Sequence, residues 1–210
     1  MSGELRMDNP FGALPVLPIV APLGLLLFLL LLGRLHIRGR FSLPRAAVAL
    51  ALSIYAAGVV ANTVFPIFLN APDSGEPWQP AVALVPFADY EIDDALMNIA
   101  VFLPLGMLIP LLLARPTWAR VVLTAAAASL AIELAQFVAD LFFAGGHISD
   151  VNDFLSNVAG GAIGYGLFVA ANRVPALARL IDRFRWAGTR EGRTDAGDRS
   201  EIGAPVDTLV

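Results

Sequence analysis

The chain has 210 residues, of which 57% are hydrophobic and only 15% are charged. This balance excludes an ordinary water-soluble domain, because the long uncharged stretches are typical of transmembrane helices of about 20 residues each. The absence of cysteine excludes a disulfide framework and any thiolate site, and nothing in the net charge of −4 indicates a nucleic-acid partner.

Five apolar segments follow one another along the chain, and lipid favours helices because their backbone groups are satisfied internally. We predict spans over residues 11–33, 46–69, 95–114, 119–143 and 154–171. The spacing of apolar residues among arginines over 177–184 then predicts a short amphipathic helix at a membrane surface, and the segment after about 187 has a composition typical of disorder. The predicted fold class is all-α, a polytopic helical membrane bundle with about five transmembrane helices.

Arginine placement predicts the orientation of this bundle. All 14 basic residues are arginines, and 13 of them lie in the 34–45 loop, the 115–120 loop and the tail after 172. Only Arg6 lies in the segments that the five spans place on the opposite side of the membrane. The positive-inside rule therefore predicts a cell-membrane protein with its N-terminus outside and its C-terminus in the cytoplasm. The first ten residues lack the basic start of a cleaved signal peptide, so we expect the first span to be retained.

Polar side chains recur on the predicted faces of spans 3, 4 and 5. Helical spacing places them in the half of the membrane opposite the arginines, where three spans can share one polar pocket open to the outside. Glu133 lies roughly 15 Å deep at ~1.5 Å per residue, where a carboxylate costs ~2.5–3.5 kcal/mol unless it faces the bundle or a wet cavity. The candidate pocket residues are Asn98, Ser129, Glu133, Gln136, Asp140, His147, Asp150, Asp153 and Asn157.

Structural interpretations compete with this site hypothesis at several positions. Asp150 suits the N-cap of span 5 as well as a ligand role, and Asp93 or Asp94 is favoured as the cap of span 3. Gln136 and Asn157 equally suit hydrogen bonds between helices. His147 is a lone loop histidine, the kind that most often has no special role.

Small residues on two spans predict a close helix contact. Gly160, Gly161, Gly164 and Gly166 are typical of a packing face rather than a ligand loop, and the alanine run 125–128 suits the same contact.

Four motifs, in order, resemble the VanZ-like family of integral membrane proteins: LVPF at 84–87, NIAVFLPLG at 98–106, SLAIELAQ at 129–136 and HISDVNDFLSNVAGGAIG at 147–164. The resemblance covers about residues 84–168 and has His147 where the family usually has arginine. It divides the chain into a two-span region with an acidic outer loop over 1–83, a VanZ-like domain over 84–172 and a cytoplasmic tail over 173–210. The polar positions that it implies are Asn98, Glu133, Gln136, Asp150, Asp153 and Asn157.

The family's named member is associated with resistance to the lipoglycopeptide teicoplanin, so the resemblance implies a role in the cell envelope. The leading hypothesis is an outward-facing pocket that binds an envelope lipid, a cell-wall precursor or a lipoglycopeptide, with membrane lipids as further partners. One alternative is an intramembrane enzyme acting on a lipid-linked substrate, with Glu133 as base and Asp150 and Asp153 holding a divalent cation. Another is a proton-coupled transporter with Glu133 as the titrating group. Apart from that cation, no cofactor is expected.

Overall fold

Six α-helices form the part of the chain that the computed structural model describes, which is residues 14–65, 67, 82–83, 85–87, 91–143 and 149–187. The helices are α1 (Val16–Ile37), α2 (Leu43–Thr63), α3 (Ile92–Leu112), α4 (Trp118–Phe143), α5 (Val151–Asn172) and α6 (Pro175–Phe184). The first five are long and apolar enough to cross a membrane. The predicted all-α membrane bundle is therefore confirmed. His147 and the predicted disordered tail after 187 lie outside the described residues.

Helices α3 and α5 begin earlier than hydropathy alone predicts. Both first turns contain acidic residues, Asp93 and Asp94 in α3 and Asp153 in α5. Carboxylates are favourable there because a helix N-terminus carries partial positive charge. The predicted cap of α3 by Asp93 or Asp94 is wrong, since the N-cap position is Glu91 and its side chain makes no capping hydrogen bond.

The core of the bundle is the close contact of α5 with α3 and α4. A Cβ atom built on Gly160 or Gly164 would overlap the backbone of α3, and one built on Gly161 would lie 2.6 Å from the Ala125 Cβ of α4. The predicted glycine packing face is therefore confirmed for these three positions. Gly166 is not part of it, because its nearest neighbour would be an aromatic carbon of Trp118 at 3.5 Å. Large buried side chains complete this core, among them Phe102, Val121, Tyr165 and Phe168.

The two ends of the bundle differ sharply in charge. At one end, here called the acidic end, the starts of α3 and α5 meet the last turns of α4, and Val82–Ala83 pairs in parallel with Ser149–Asp150. At the other, here called the arginine end, α6 leads into a segment that closes on the α1–α2 loop, on the start of α2 and on the end of α3. Arg45 Nε donates to the Arg185 carbonyl at 2.8 Å, and the Trp186 N–H donates to the Leu111 carbonyl at 2.8 Å.

Candidate ligand-binding cleft

A small polar cleft of about 110 Å³ opens at the acidic end between the first turns of α3 and α5. We call it the acidic cleft. Four of its lining side chains are carboxylates, and no described arginine lines it. The described lining residues are Glu91, Asp94, Ala95, Asp150, Asn152, Asp153 and Ser156.

The start of α5 is fixed by a chain of side-chain hydrogen bonds. Asp150 occupies the N-cap, and its Oδ1 accepts from the Asn152 N–H at 2.8 Å, so the predicted cap role is confirmed. The buried Asn152 in turn accepts the Phe87 N–H on Oδ1 at 2.8 Å. Phe87 has a φ of 63°, in the left-handed region that a bulky residue adopts only when its surroundings hold it. The Asn152 bond thus ties the segment before α3 to the start of α5.

Glu133 lies behind the cleft rather than on its wall. Its side chain is only 9% exposed, and its Oε2 accepts the backbone N–H of Asp150 at 3.1 Å. A helix N-terminus leaves backbone donors without intrahelical partners, and an anion is favourable beside them. The deep carboxylate of α4 therefore positions the N-cap residue of α5, and through it one wall of the cleft.

Two further hydrogen bonds join the predicted polar faces. The Asn98 amide donates to Asp153 Oδ1 at 2.6 Å, linking α3 to α5, and the Asn157 amide donates to Ser129 Oγ at 3.0 Å, linking α5 to α4. Within the described residues, Asn157 Oδ1 and Gln136 Oε1 are buried and have no hydrogen-bond partner. The three helices therefore do direct their polar residues toward one another, as helical spacing predicts.

Some predicted pocket residues do not reach the cleft. Asp140 is half-buried near the end of α4 and is absent from the described lining, and His147 lies outside the described residues. Ser129, Gln136 and Asn157 are likewise absent from the described lining. Over the described ranges, no three histidine, aspartate or glutamate side chains converge closely enough to hold a metal ion, so the divalent cation stays an untested prediction.

Residues 52–172 match the family model described as VanZ/LLP1, and these residues are more than half of the chain. The chain belongs to the VanZ/LLP1 family. With its five apolar helices it is a multi-pass membrane protein. No curated protein and no solved structure gives a significant match.

The VanZ/LLP1 match begins inside α2 and ends at the last residue of α5. It starts earlier than the resemblance at 84 and leaves out α1 and α6. Every described residue that lines the acidic cleft, and Glu133 behind it, falls within the match. As far as the described residues show, the cleft is thus built from the VanZ/LLP1 region of the chain.

Sequence reasoning missed two residues that shape this VanZ/LLP1 site. Asn152 is not among the predicted pocket residues, yet its side chain accepts the Phe87 N–H. Glu91 lines the cleft although it lies outside the predicted span 3, which begins at 95. The signal for Asn152 is its burial, which requires partners for its amide and which only the structure shows.

Proposed function

We propose that this protein is a binding protein of the cell envelope whose acidic cleft takes the amine-bearing polar head of an amphiphile at the outer membrane surface. The observation that supports this most is the charge of the cleft. Glu91, Asp94, Asp150 and Asp153 line it, and no described arginine does. The predicted orientation, with the arginine end in the cytoplasm, puts the acidic cleft outside.

Charge complementarity favours one class among the predicted ligands. A cell-wall precursor or an envelope lipid that presents phosphate would bring like charge to four carboxylates, which is unfavourable without a bridging cation. An amphiphile with amino and hydroxyl groups on its head, as on an amino sugar, offers donors that carboxylates accept strongly. A lipoglycopeptide with such groups is therefore a better candidate than a phosphate-bearing precursor.

The four carboxylates of the cleft fall into two pairs, which differ in how free they are to contact a ligand. Asp150 and Asp153 already accept hydrogen bonds from Asn152 and Asn98, which fix their positions. Glu91 and Asp94 are exposed and have no ion-pair partner among the described residues. We assign the fixed pair to shaping the cleft and the exposed pair to contacting an incoming ammonium group.

Binding to the full chain in phosphatidylcholine nanodiscs tests the proposal. The probes are a fluorescent long-chain alkylammonium, the matching alkyl sulfate and teicoplanin. We expect the alkylammonium to bind and the sulfate not to bind. Glu91→Gln with Asp94→Asn should weaken alkylammonium and teicoplanin binding by about tenfold or more, since each charge-assisted hydrogen bond is worth roughly 1.5–3 kcal/mol.

A matched control removes the same number of carboxylates from the same end of the bundle. Asp93→Asn with Asp140→Asn changes the net charge equally, but neither residue lines the cleft. Binding in this control should stay within about twofold, because only general surface potential changes. Equal weakening in both double variants, or binding of the sulfate as tight as that of the alkylammonium, would contradict the proposal.

A further inference from the structure

A second pocket lies at the arginine end, on the opposite side of the bundle from the acidic cleft. It has a volume of about 210 Å³ and combines three arginines with apolar side chains. We call it the arginine pocket. Its lining residues are Arg34, Leu35, Arg38, Arg40, Leu112, Leu113, Ala114, Trp186 and Ala187.

Long-range contacts build this pocket. Trp186 is buried, its N–H donates to the Leu111 carbonyl at 2.8 Å, and its indole N–H donates to the Arg45 carbonyl at 3.2 Å. Arg40 Nη1 donates to the Trp186 carbonyl at 3.1 Å. The segment after α6 thus packs over the α1–α2 loop and the end of α3. This packing closes one side of the space between the helix ends and forms the pocket.

The guanidinium groups of Arg34 and Arg38 have no anionic partner among the described residues. The described ion pair at this end of the bundle joins Asp182 to Arg185 at 3.2 Å and involves neither of these two arginines. Arg34 and Arg38 lie one turn apart at the end of α1, so both can face the same rim. Their placement near a helix C-terminus is favourable by itself, but that accounts for neither the cavity nor its apolar floor of Leu35, Leu112 and Trp186.

We propose that the arginine pocket binds the phosphate of an anionic membrane lipid, with the headgroup against Arg34, Arg38 and Arg40. Arginine presents a planar fork of donors that matches phosphate oxygens in pairs. Basic pockets at the ends of transmembrane helices suit anionic headgroups, because the lipid keeps its chains beside apolar side chains while its phosphate meets the cations. This inference is independent of the acidic cleft and of its ligand.

Calorimetric titration of the full chain in a neutral detergent tests the pocket with three probes: short-chain phosphatidylglycerol, short-chain phosphatidylcholine and inorganic phosphate. We expect phosphatidylglycerol to bind and the other two to bind at least about tenfold more weakly. Arg34→Gln with Arg38→Gln should weaken phosphatidylglycerol binding by about tenfold or more, because two of the three cations that meet the phosphate are removed.

The matched control is Arg173→Gln with Arg179→Gln, which removes two exposed arginines from the same end outside the pocket. It should leave binding within about twofold. A further variant, Ala114→Trp, keeps every arginine and fills the pocket from an exposed lining position, so it should also weaken binding while melting like the parent protein.

Three outcomes would overturn the proposal. The first is equal weakening in the two arginine double variants, which would indicate general surface charge. The second is unchanged binding in Ala114→Trp. The third is inorganic phosphate binding as tightly as phosphatidylglycerol, which would assign the pocket to a free anion instead of a lipid.

Discussion

Replacing Gly164 by alanine should loosen the contact between α3 and α5. A Cβ at this position would overlap the Leu103 carbonyl oxygen and would lie 3.0 Å from the Leu103 carbonyl carbon and 3.1 Å from the Gly106 Cα. Carbon atoms pack best at about 3.5–4.0 Å, so the two helices would have to separate by several tenths of an ångström or more. All three neighbours are backbone atoms, which cannot move aside by changing a rotamer.

The expected cost follows from two opposing effects. Overpacking of a tight contact costs about 1–3 kcal/mol, whereas alanine in place of glycine gains up to about 1 kcal/mol in helix stability. Gly164→Ala should therefore lower the free energy of unfolding by about 1–2 kcal/mol. Gly166→Ala is the matched control, because its Cβ would lie 3.5 Å from Trp118, an ordinary contact. That variant should be neutral or slightly more stable.

Unfolding of both variants by a denaturing detergent, followed by circular dichroism and tryptophan fluorescence, measures the difference. Equal stability of Gly164→Ala and Gly166→Ala would refute the packing described for α3 and α5. Since Asn98 reaches Asp153 across the same contact, the destabilised variant should also bind the alkylammonium probe more weakly than the control does.

Variants at three further positions, Glu133, Ser129 and Trp186, test contacts that join distant segments of the chain. Glu133→Ala should lower the free energy of unfolding by about 1–3 kcal/mol, because the Asp150 N–H at the start of α5 loses its acceptor. Glu133→Gln keeps an acceptor oxygen and should lower it by less than half as much. Ser129→Ala should cost about 1–2 kcal/mol by removing the acceptor of the buried Asn157 amide, whereas Ser53→Ala, which loses only a bond within its own helix, should cost less than about 0.5 kcal/mol. Trp186→Ala should speed tryptic cleavage at the arginines of α6 and its flanks by several-fold, and an unchanged cleavage rate would show that this segment is not held by the tryptophan.

The helices could be predicted from the sequence because hydropathy and length decide what crosses a membrane. The glycine face could also be predicted, because small residues at helical spacing have few uses in a membrane helix other than close packing. Helical periodicity also placed Ser129 and Glu133 toward α5. Each of these features depends on the residues of one segment, so the sequence of that segment is enough to predict it.

Features that depend on two distant segments could not be predicted. Periodicity indicates that Glu133 faces inward, but not that its oxygen meets the Asp150 N–H, because backbone donors leave no pattern in the sequence. The position of Phe87 depends on Asn152, which lies far along the chain. The arginine pocket likewise exists because Trp186 docks against the ends of other helices. The predicted orientation rests on charge distribution alone and stays a prediction.

Site-directed labelling of intact cells tests the central claim most directly, because the chain has no cysteine of its own. Ile92→Cys places one thiol at an exposed position next to Glu91 and keeps all four carboxylates of the acidic cleft, and Arg38→Cys places one at the arginine end. A membrane-impermeant maleimide should label Ile92→Cys from outside, an alkylammonium ligand should slow that labelling, and Arg38→Cys should react only after the membrane is opened. Labelling of Arg38→Cys in intact cells, or Ile92→Cys labelling that the ligand does not slow, would contradict an outward-facing cleft that binds an amine-bearing head.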